Sequence, residues 1–462
     1  MIFSSDFSKK KIVIVGLGIS GMSLAGKLFK NKVDVIVWDD NPKIRDVAEK
    51  KGLALRQVEK IKFSEIDFLI LSPGIKHNGP NAHIAAKNAK INNCKVISDL
   101  ELLFYLKRKQ AIIGVTGTNG KSTTVSLIEH ILVTNSFEAE ACGNIGKPFT
   151  SIKNLHKKIL IVEASSYQLE RLQNLKFDIA VLLNIQKDHI ERHFTMSNYI
   201  NAKRKIFKNN TLKDYVIVSN DDINCQKISK ELVEKQKTNV VSFSTTNSSK
   251  HNVRIEDDNN FFLIIDDSCK TKVKILKNKL DISLGKKNYQ NIISAYCVSK
   301  ILKIRTSSFK NALYRFKGLP HRIEKFCSFN NIDFFNDSKA TNISSTVFAL
   351  NSLTNIYLLI GGESKKSNFK DLNKNLDNVI KTFTFGKSNQ LFKMKIKRKN
   401  VFAFSNLEES IEFAFKEALL EKKKINFLLS PACASFDEFE NFEKRGNFFK
   451  KKIQKLIFKR LK

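Results

Sequence analysis

Residues Ala111–Thr123 read AIIGVTGTNGKST, an apolar run entering a glycine-rich turn that ends in Gly120-Lys121-Ser122. Those residue types in that order suit phosphate. Gly117 and Gly120 let backbone N–H groups close around an anion, and Lys121 adds a point charge. The Ser122 hydroxyl suits Mg²⁺, and a helix starting near Lys121 adds its positive end. The usual P-loop pattern wants a glycine five residues before the glycine of Gly-Lys; Val115 stands there instead. A chance turn would not bring strand, glycines, lysine and helix together in this order. A nucleoside triphosphate is the expected ligand.

Other candidate groups follow apolar runs. Gly16-Leu-Gly18-Ile-Ser-Gly21 is a GxGxxG turn, and Asp39 ends the next apolar run. Such glycines let a backbone approach a diphosphate, and the acid suits a ribose or a base. This alone would suggest NAD, but a second nucleotide fold 100 residues later makes a dehydrogenase less attractive. Glu163 follows KILIV and Asp188-His189 follows AVLLN, where an acid or imidazole beside a P-loop suits a metal. Asp337-Ser-Lys339, Gly361-Gly-Glu-Ser-Lys365 and Ser430-Pro-Ala-Cys-Ala-Ser435 also follow strand-like runs. Their lysines and hydroxyls suit a carboxylate-bearing substrate. Cys433 could be a nucleophile, but a small buried residue near a turn is the simpler reading.

The elements that must position these groups alternate apolar strands with helical stretches, the pattern of mostly parallel α/β sheets. KIVIVG, VDVIVWDD and IDFLILSPGI form a first unit. A fresh strand–P-loop unit, with KILIVEAS, FDIAVLLN, DYVIVSN and NVVSFS, begins near Ala111. A polar β-like stretch over 253–284 and a helix over 289–302 follow. Gly and Pro in Phe316–Arg322 punctuate the chain before IYLLIGG, KTFTFG, VFAFS and INFLLSP. The expected domains are 1–98, a Rossmann-like unit; 99–317, a P-loop ATPase unit; and 318–462, a second Rossmann-like unit. Ligands in such sheets sit at the carboxyl ends of the strands.

The chain has 462 residues and a net charge of +35 from 80 basic and 45 acidic side chains. The lysines are spread along the chain rather than gathered into one arm, which argues against nucleic acid as partner. The 36 phenylalanines lie mostly in apolar runs and read as core. No run of 18 apolar residues exists, so no membrane insertion is expected, and MIFSSDFSKKK lacks the apolar stretch of a secretory signal. Seven scattered cysteines without CxxC fit reduced thiols. A cytoplasmic location is the expectation.

These motifs in this order resemble the Mur ligases end to end: GLGISG, LSPGI, GVTGTNGKST, CGNIG, VEASSYQLE, LLNIQKDHIERH, YINAKRKIF, KNYQN, GLPHR, NDSKATN, GGESKKSNF and SPACASFDEFENFEKRG. The P-loop spacing is the form that family uses. The resemblance implies ATP-driven amide formation through an acyl phosphate, with three domains and closure of the third onto the second. The last segment favours the member that adds D-glutamate to UDP-N-acetylmuramoyl-L-alanine. An Asp-Asn-Pro-Arg motif for a diamino acid is not found.

Residue by residue, the resemblance implies that Gly16, Ile19, Ser20, Asp39, Asp40, Ser72 and Gly74 surround the UDP part. Asn144 and Gln168 would touch the muramoyl portion. Gly117, Thr118, Asn119, Gly120, Lys121, Ser122, Thr123, Asn288, Asn291, Arg322 and Asp337 would bind ATP. Two Mg²⁺ ions would be held, one at Ser122 and one at Glu163 and His189 beside Lys203, the latter carbamylated by CO₂. Lys339 would neutralise the transferring phosphate. Thr341, Lys365, Ser435, Phe436 and Phe442 would frame D-glutamate. A monomer is expected. Lys287 departs from the family, which usually has His there, and Glu191 and His193 also differ from the commonest forms.

Overall fold

In the computed structural model, residues 3–107, 109–144, 146–246, 252–281, 284–364 and 369–461 are described. Their strands form three sheets, of five, nine and six strands.

The first sheet is wholly parallel. Lys11–Val15 lies at its centre, with Asp34–Trp38 and then Ala54–Leu55 on one side, and Phe68–Leu71 and then Lys95–Ile97 on the other. KIVIV and FLIL are nearly continuous apolar runs because helices cover both faces of such a sheet. The strand order reverses beside Lys11–Val15, so its carboxyl end and that of Phe68–Leu71 flank the crevice where ligands bind.

The second sheet places Ile112–Thr116 between Ile159–Glu163 and Ile179–Leu182. Tyr215–Ser219, Asn239–Ser244 and Val253–Asp257 extend it in parallel. The polar stretch read as β-like turns back as two antiparallel edge strands, Phe261–Asp266 and Thr271–Leu276. Helix Tyr289–Ile301, buried nearly all round, packs on helix Lys121–Thr134, which leaves the P-loop.

The third sheet runs Glu324–Phe329, Ile332–Asn336, Ile425–Leu429, Ile356–Gly361, Val379–Phe385, Val401–Ala403, parallel except for its first strand. Phenylalanines fill one of its faces: Phe334, Phe383, Phe415, Phe427 and Phe449 share one cluster.

The chain divides into two compact units, Met1–Lys279 with Lys287–Arg315, and Leu280–Lys286 with Phe316–Lys462. The first unit therefore holds two sheets. One continuous core explains this: Phe7, Ile14 and Leu102 belong to the same cluster as Leu160, Phe177 and Val216. No described helix is long and apolar enough to cross a membrane. Of the seven cysteines only Cys269 is exposed; it sits in the turn before Thr271, and Cys327 is partly covered. Cys433 is buried, and burial pushes its thiol up to about 12, which suits a packing role rather than a nucleophile.

Candidate active site

In the first unit the P-loop turn closes at Gly120, whose φ of 83° is left-handed and whose missing Cβ leaves room for Asn291 Oδ1. Gly120 caps helix Lys121–Thr134, so the helix's free N–H groups face the turn. The turn is pinned from behind. Asn119 N donates to Asn184 Oδ1 at 2.8 Å, and Asn184 Nδ2 donates to Gln290 Oε1 at 2.9 Å. Thr124 Oγ1 donates to Asn291 Oδ1 at 3.1 Å, and Asn291 Nδ2 donates to Asn288 Oδ1 at 2.6 Å. Asn288 and Asn291 therefore lie against the P-loop helix. Ser122 is buried and Thr123 half-buried on its first turn.

The side-chain nitrogens of two lysines converge on one carbonyl. Lys121 Nζ donates to Gly117 O and Thr118 O, each at 2.9 Å, and Lys203 Nζ donates to Gly117 O at 2.7 Å. Lys203 is only 1% exposed. Burial first, and then the Lys121 charge, hold its amine well below the ordinary lysine range. Its Nζ lies over the Tyr199 ring, 4.8 Å from the ring centre. Tyr199 Oη in turn lies 3.0 Å from Thr118 Oγ1.

Glu163 ends strand Ile159–Glu163 and is buried. Its Oε1 accepts from Asn144 Nδ2 at 3.0 Å, whereas its Oε2 is buried with no hydrogen-bond partner. An unpaired buried carboxylate oxygen is costly unless a cation completes it. Among the described residues no group of three or more His, Cys, Asp and Glu forms a ready cage. A cation here would thus need Ser122, a phosphate or a modified lysine as well. His189 has a left-handed φ of 53°, and its Nδ1 lies 2.8 Å from Tyr167 Oη. Its Nε2 is 3.4 Å from Asp188 Oδ2.

In the first sheet the glycine turn and the acid meet as the spacing suggests. Gly16 O accepts from Ser72 Oγ at 2.8 Å, and Asp39 Oδ2 accepts from Leu17 N at 2.6 Å while Oδ1 accepts from Asn41 N at 2.9 Å. Asp39 thus ties the turn to the neighbouring strand end. Asp40 is exposed and pairs with His83 Nε2 at 3.3 Å. Ile19 is 82% exposed at a helix start, with Ser20 half-buried beside it, and Gly74 is exposed. Gln168 is buried with both ends of its amide used: Nε2 donates to Asp99 Oδ1, and Oε1 accepts from Ser165 N and Oγ.

In the second unit Asp337 ties its own loop to Ile323 and to the Ser430 loop. Its Oδ1 accepts from Ile323 N at 3.2 Å and its Oδ2 from Ser430 Oγ at 2.7 Å. Full burial pushes its carboxyl up to about 7. Arg445, 1% exposed, does similar work from the last helix, donating to Ser338 Oγ, Ser338 O, Cys433 O and Ala434 O. Lys339 Nζ lies 4.8 Å from the centre of the Phe442 ring. Arg322 is half-buried, Thr341 exposed, Ser435 buried and Phe436 exposed. Lys365 and the side chain of Lys287 lie outside the described residues.

Tyr167, Asn184, Tyr199 and Arg445 escaped the sequence reading. Tyr199 stands four residues before Lys203 on one helix, which puts both on one face. Asn184 ends an apolar run beside the P-loop strand. No local signal marked Arg445 as buried.

Two family models match the chain: Mur ligase MurD-like, N-terminal domain, over residues 10–97, and Mur ligase middle domain, over residues 115–299. The UDP-N-acetylmuramoylalanine--D-glutamate ligase of Rickettsia felis is 36% identical over 453 residues, covering 97% of each chain. The enzyme of the same name from Clostridioides difficile is 33% identical over 470 residues, covering 98% of this chain and 100% of its own. Among solved structures, the UDP-N-acetylmuramate-alanine ligase of Thermotoga maritima aligns with a TM-score of 0.59 at 16% identity, over 96% of this chain and 99% of that one. That likeness shows a common fold. On the family models and the full-length relatives together, this chain belongs to the Mur ligase family.

Proposed function

We propose that the chain is an ADP-forming amide ligase that joins D-glutamate to UDP-N-acetylmuramoyl-L-alanine in the making of peptidoglycan precursors. The observation that carries this is the convergence of Lys121 and Lys203 on Gly117 O, within the P-loop unit that also holds the unpaired buried oxygen of Glu163. Full-length relatives that bear this activity in their names support the choice of substrates.

The substrate carboxylate attacks the γ-phosphorus of ATP, ADP leaves, and an acyl phosphate forms. The amine of D-glutamate then attacks the acyl carbon, gives up a proton, and inorganic phosphate departs. Lys121 offsets charge on the outer phosphates through both transfers. Lys339 is the residue we assign to neutralising the transferring group. Ser122, Glu163 and His189 are the residues that would hold Mg²⁺, which would supply neutralisation of phosphate charge. Burial and the Lys121 charge favour loss of the Lys203 proton, and the free amine can attack CO₂: nitrogen bonds to carbon, a second proton is lost, and a carbamate results. That carbamate supplies the extra anionic ligand that the acid-poor site needs.

Three modules divide the work: 1–98 for the UDP end, 99–317 for ATP, and 318–462 for the amino acid, with Thr341, Lys365, Ser435, Phe436 and Phe442 around it. The protein works as a cytoplasmic monomer. The deciding experiment is a panel of D-glutamate, L-alanine, L-glutamate, lysine and diaminopimelate with ATP, Mg²⁺ and UDP-N-acetylmuramoyl-L-alanine. ADP and a new amide should appear together with D-glutamate only. Preference for another amino acid would overturn the specificity, and ADP release without any amide would overturn the ligase.

A further inference from the structure

The loop after strand Phe68–Leu71, residues 72–83, is pinned at both ends inside the first sheet. Ser72 Oγ donates to Gly16 O, and His83 Nε2 meets Asp40. Its first residues are held from elsewhere as well, by two arginines of the P-loop segment. Arg171 Nη1 donates to Leu71 O at 2.7 Å, and its Nη2 reaches Ser72 O at 3.5 Å and Pro73 O at 3.4 Å. Arg192 Nη2 donates to Ile75 O at 3.0 Å and to Glu170 Oε1 at 2.8 Å. Glu170 Oε1 also lies 3.3 Å from His77 Nδ1 of the loop. Beyond His77, the loop's Gly79 leaves just enough room for the Phe194 ring.

Arg171 and Arg192 are almost wholly buried, and Glu170 nearly so. Buried ions contribute little net stability compared with apolar packing of the same volume. What they add is direction: each guanidinium fixes particular carbonyls in place. The anchors also carry site residues. Arg171 Nε donates to Tyr167 O, Tyr167 Oη meets His189, and His189 immediately precedes the short helix that bears Arg192.

We propose that Arg171 and Arg192, which share Glu170 Oε1 at 3.9 Å from Arg171 Nε and 2.8 Å from Arg192 Nη2, are positioning residues that hold loop 72–83 in the shape that receives the nucleotide-sugar substrate, from the same segments that carry His189 and Tyr167. Specificity for the UDP-linked substrate is therefore set partly by residues of the P-loop unit that need not touch it. This rests on the proposed nucleotide-sugar substrate.

The test uses the full chain with Arg192→Ala, Arg192→Lys and Glu170→Gln. In Arg192→Ala the KM for the UDP-linked substrate should rise about tenfold or more, while the KM for ATP stays within about twofold. Arg192→Lys should recover much of that loss, because an ammonium can still bridge Glu170 and the loop. Glu170→Gln, close in shape, should shift the same KM in the same direction. Amide hydrogen exchange over 72–83, read without substrate, should quicken in Arg192→Ala relative to strands Lys11–Val15 and Asp34–Trp38. Unchanged exchange overturns the clamp whatever the substrate. Equal rises in both KM values, or only a smaller active fraction, overturn it as well. Failure of the unsubstituted chain to turn over the UDP-linked substrate overturns the reading of function instead.

Discussion

At the scale of single residues, Lys203 and Asp337 show how burial makes chemistry from ordinary side chains. Lys203→Ala should cut kcat by a factor on the order of 10²–10³, the usual cost of one preorganised charge. Formate or acetate should restore part of it by standing in for a carbamate; full activity without rescue would remove that role. Asp337 yields a stability prediction. Its folded carboxyl titrates near 7 against an ordinary 3.8, so between those values the folded chain keeps a proton that the unfolded chain has lost. That contribution to stability is complete below about pH 4 and is lost as pH rises toward 7. The melting temperature of Asp337→Asn minus that of the unsubstituted protein should therefore grow across this window. A flat difference would mean that the acid titrates normally. Lys121, Glu163 and His189 were legible because each stands where an apolar run ends. The links through Tyr167, Tyr199 and Arg445 were not, since they depend on residues brought together by the fold rather than by spacing.

At the scale of elements, close backbone approaches carry the constraint. A Cβ at Gly120 would sit 2.4 Å from Asn291 Oδ1 in a backbone already left-handed. Gly120→Ala should weaken ATP binding severely and cost about 1–3 kcal/mol of stability. Titration with an ATP analogue and a thermal melt separate the two effects. Gly446 lies on the last helix, and a Cβ there would meet His321 Nδ1 at 2.2 Å. Gly446→Ala should destabilise the second unit by about 1–3 kcal/mol, read as a lowered melting temperature. Most strands could be read from sequence because buried parallel strands are unbroken apolar runs, as KIVIV, ILIVE and IYLLIG are. The return of 261–276 as antiparallel edge strands was legible only as β character. Pairing direction depends on partners, not on local pattern.

For the whole molecule, the +35 charge is spread over the surface, and both proposed phosphate-bearing substrates are polyanions. Raising NaCl from about 50 to about 300 mM should raise KM for ATP and the UDP-linked substrate more than for D-glutamate, because screening acts most on the higher charges. An equal effect on all three would mean that the basic surface plays no part in capture. The order of three α/β sheets was readable, since the first two begin with a strand, a glycine turn and a helix, and Gly and Pro in Phe316–Arg322 punctuate the chain before the third. The shared core that welds the first two sheets into one unit was not, because it gathers residues as far apart in sequence as Phe7 and Phe177 into one cluster.

One consequence of the thiol distribution is practical. Six of the seven cysteines are wholly or partly covered, and Cys269 stands in the open turn between Phe261–Asp266 and Thr271–Leu276. A maleimide fluorophore should therefore couple fastest at that one place on the native protein and reach all seven only in denaturant. The native chain comes with its own address for a reporter dye, on an edge hairpin distant in sequence from the P-loop, with no engineering required.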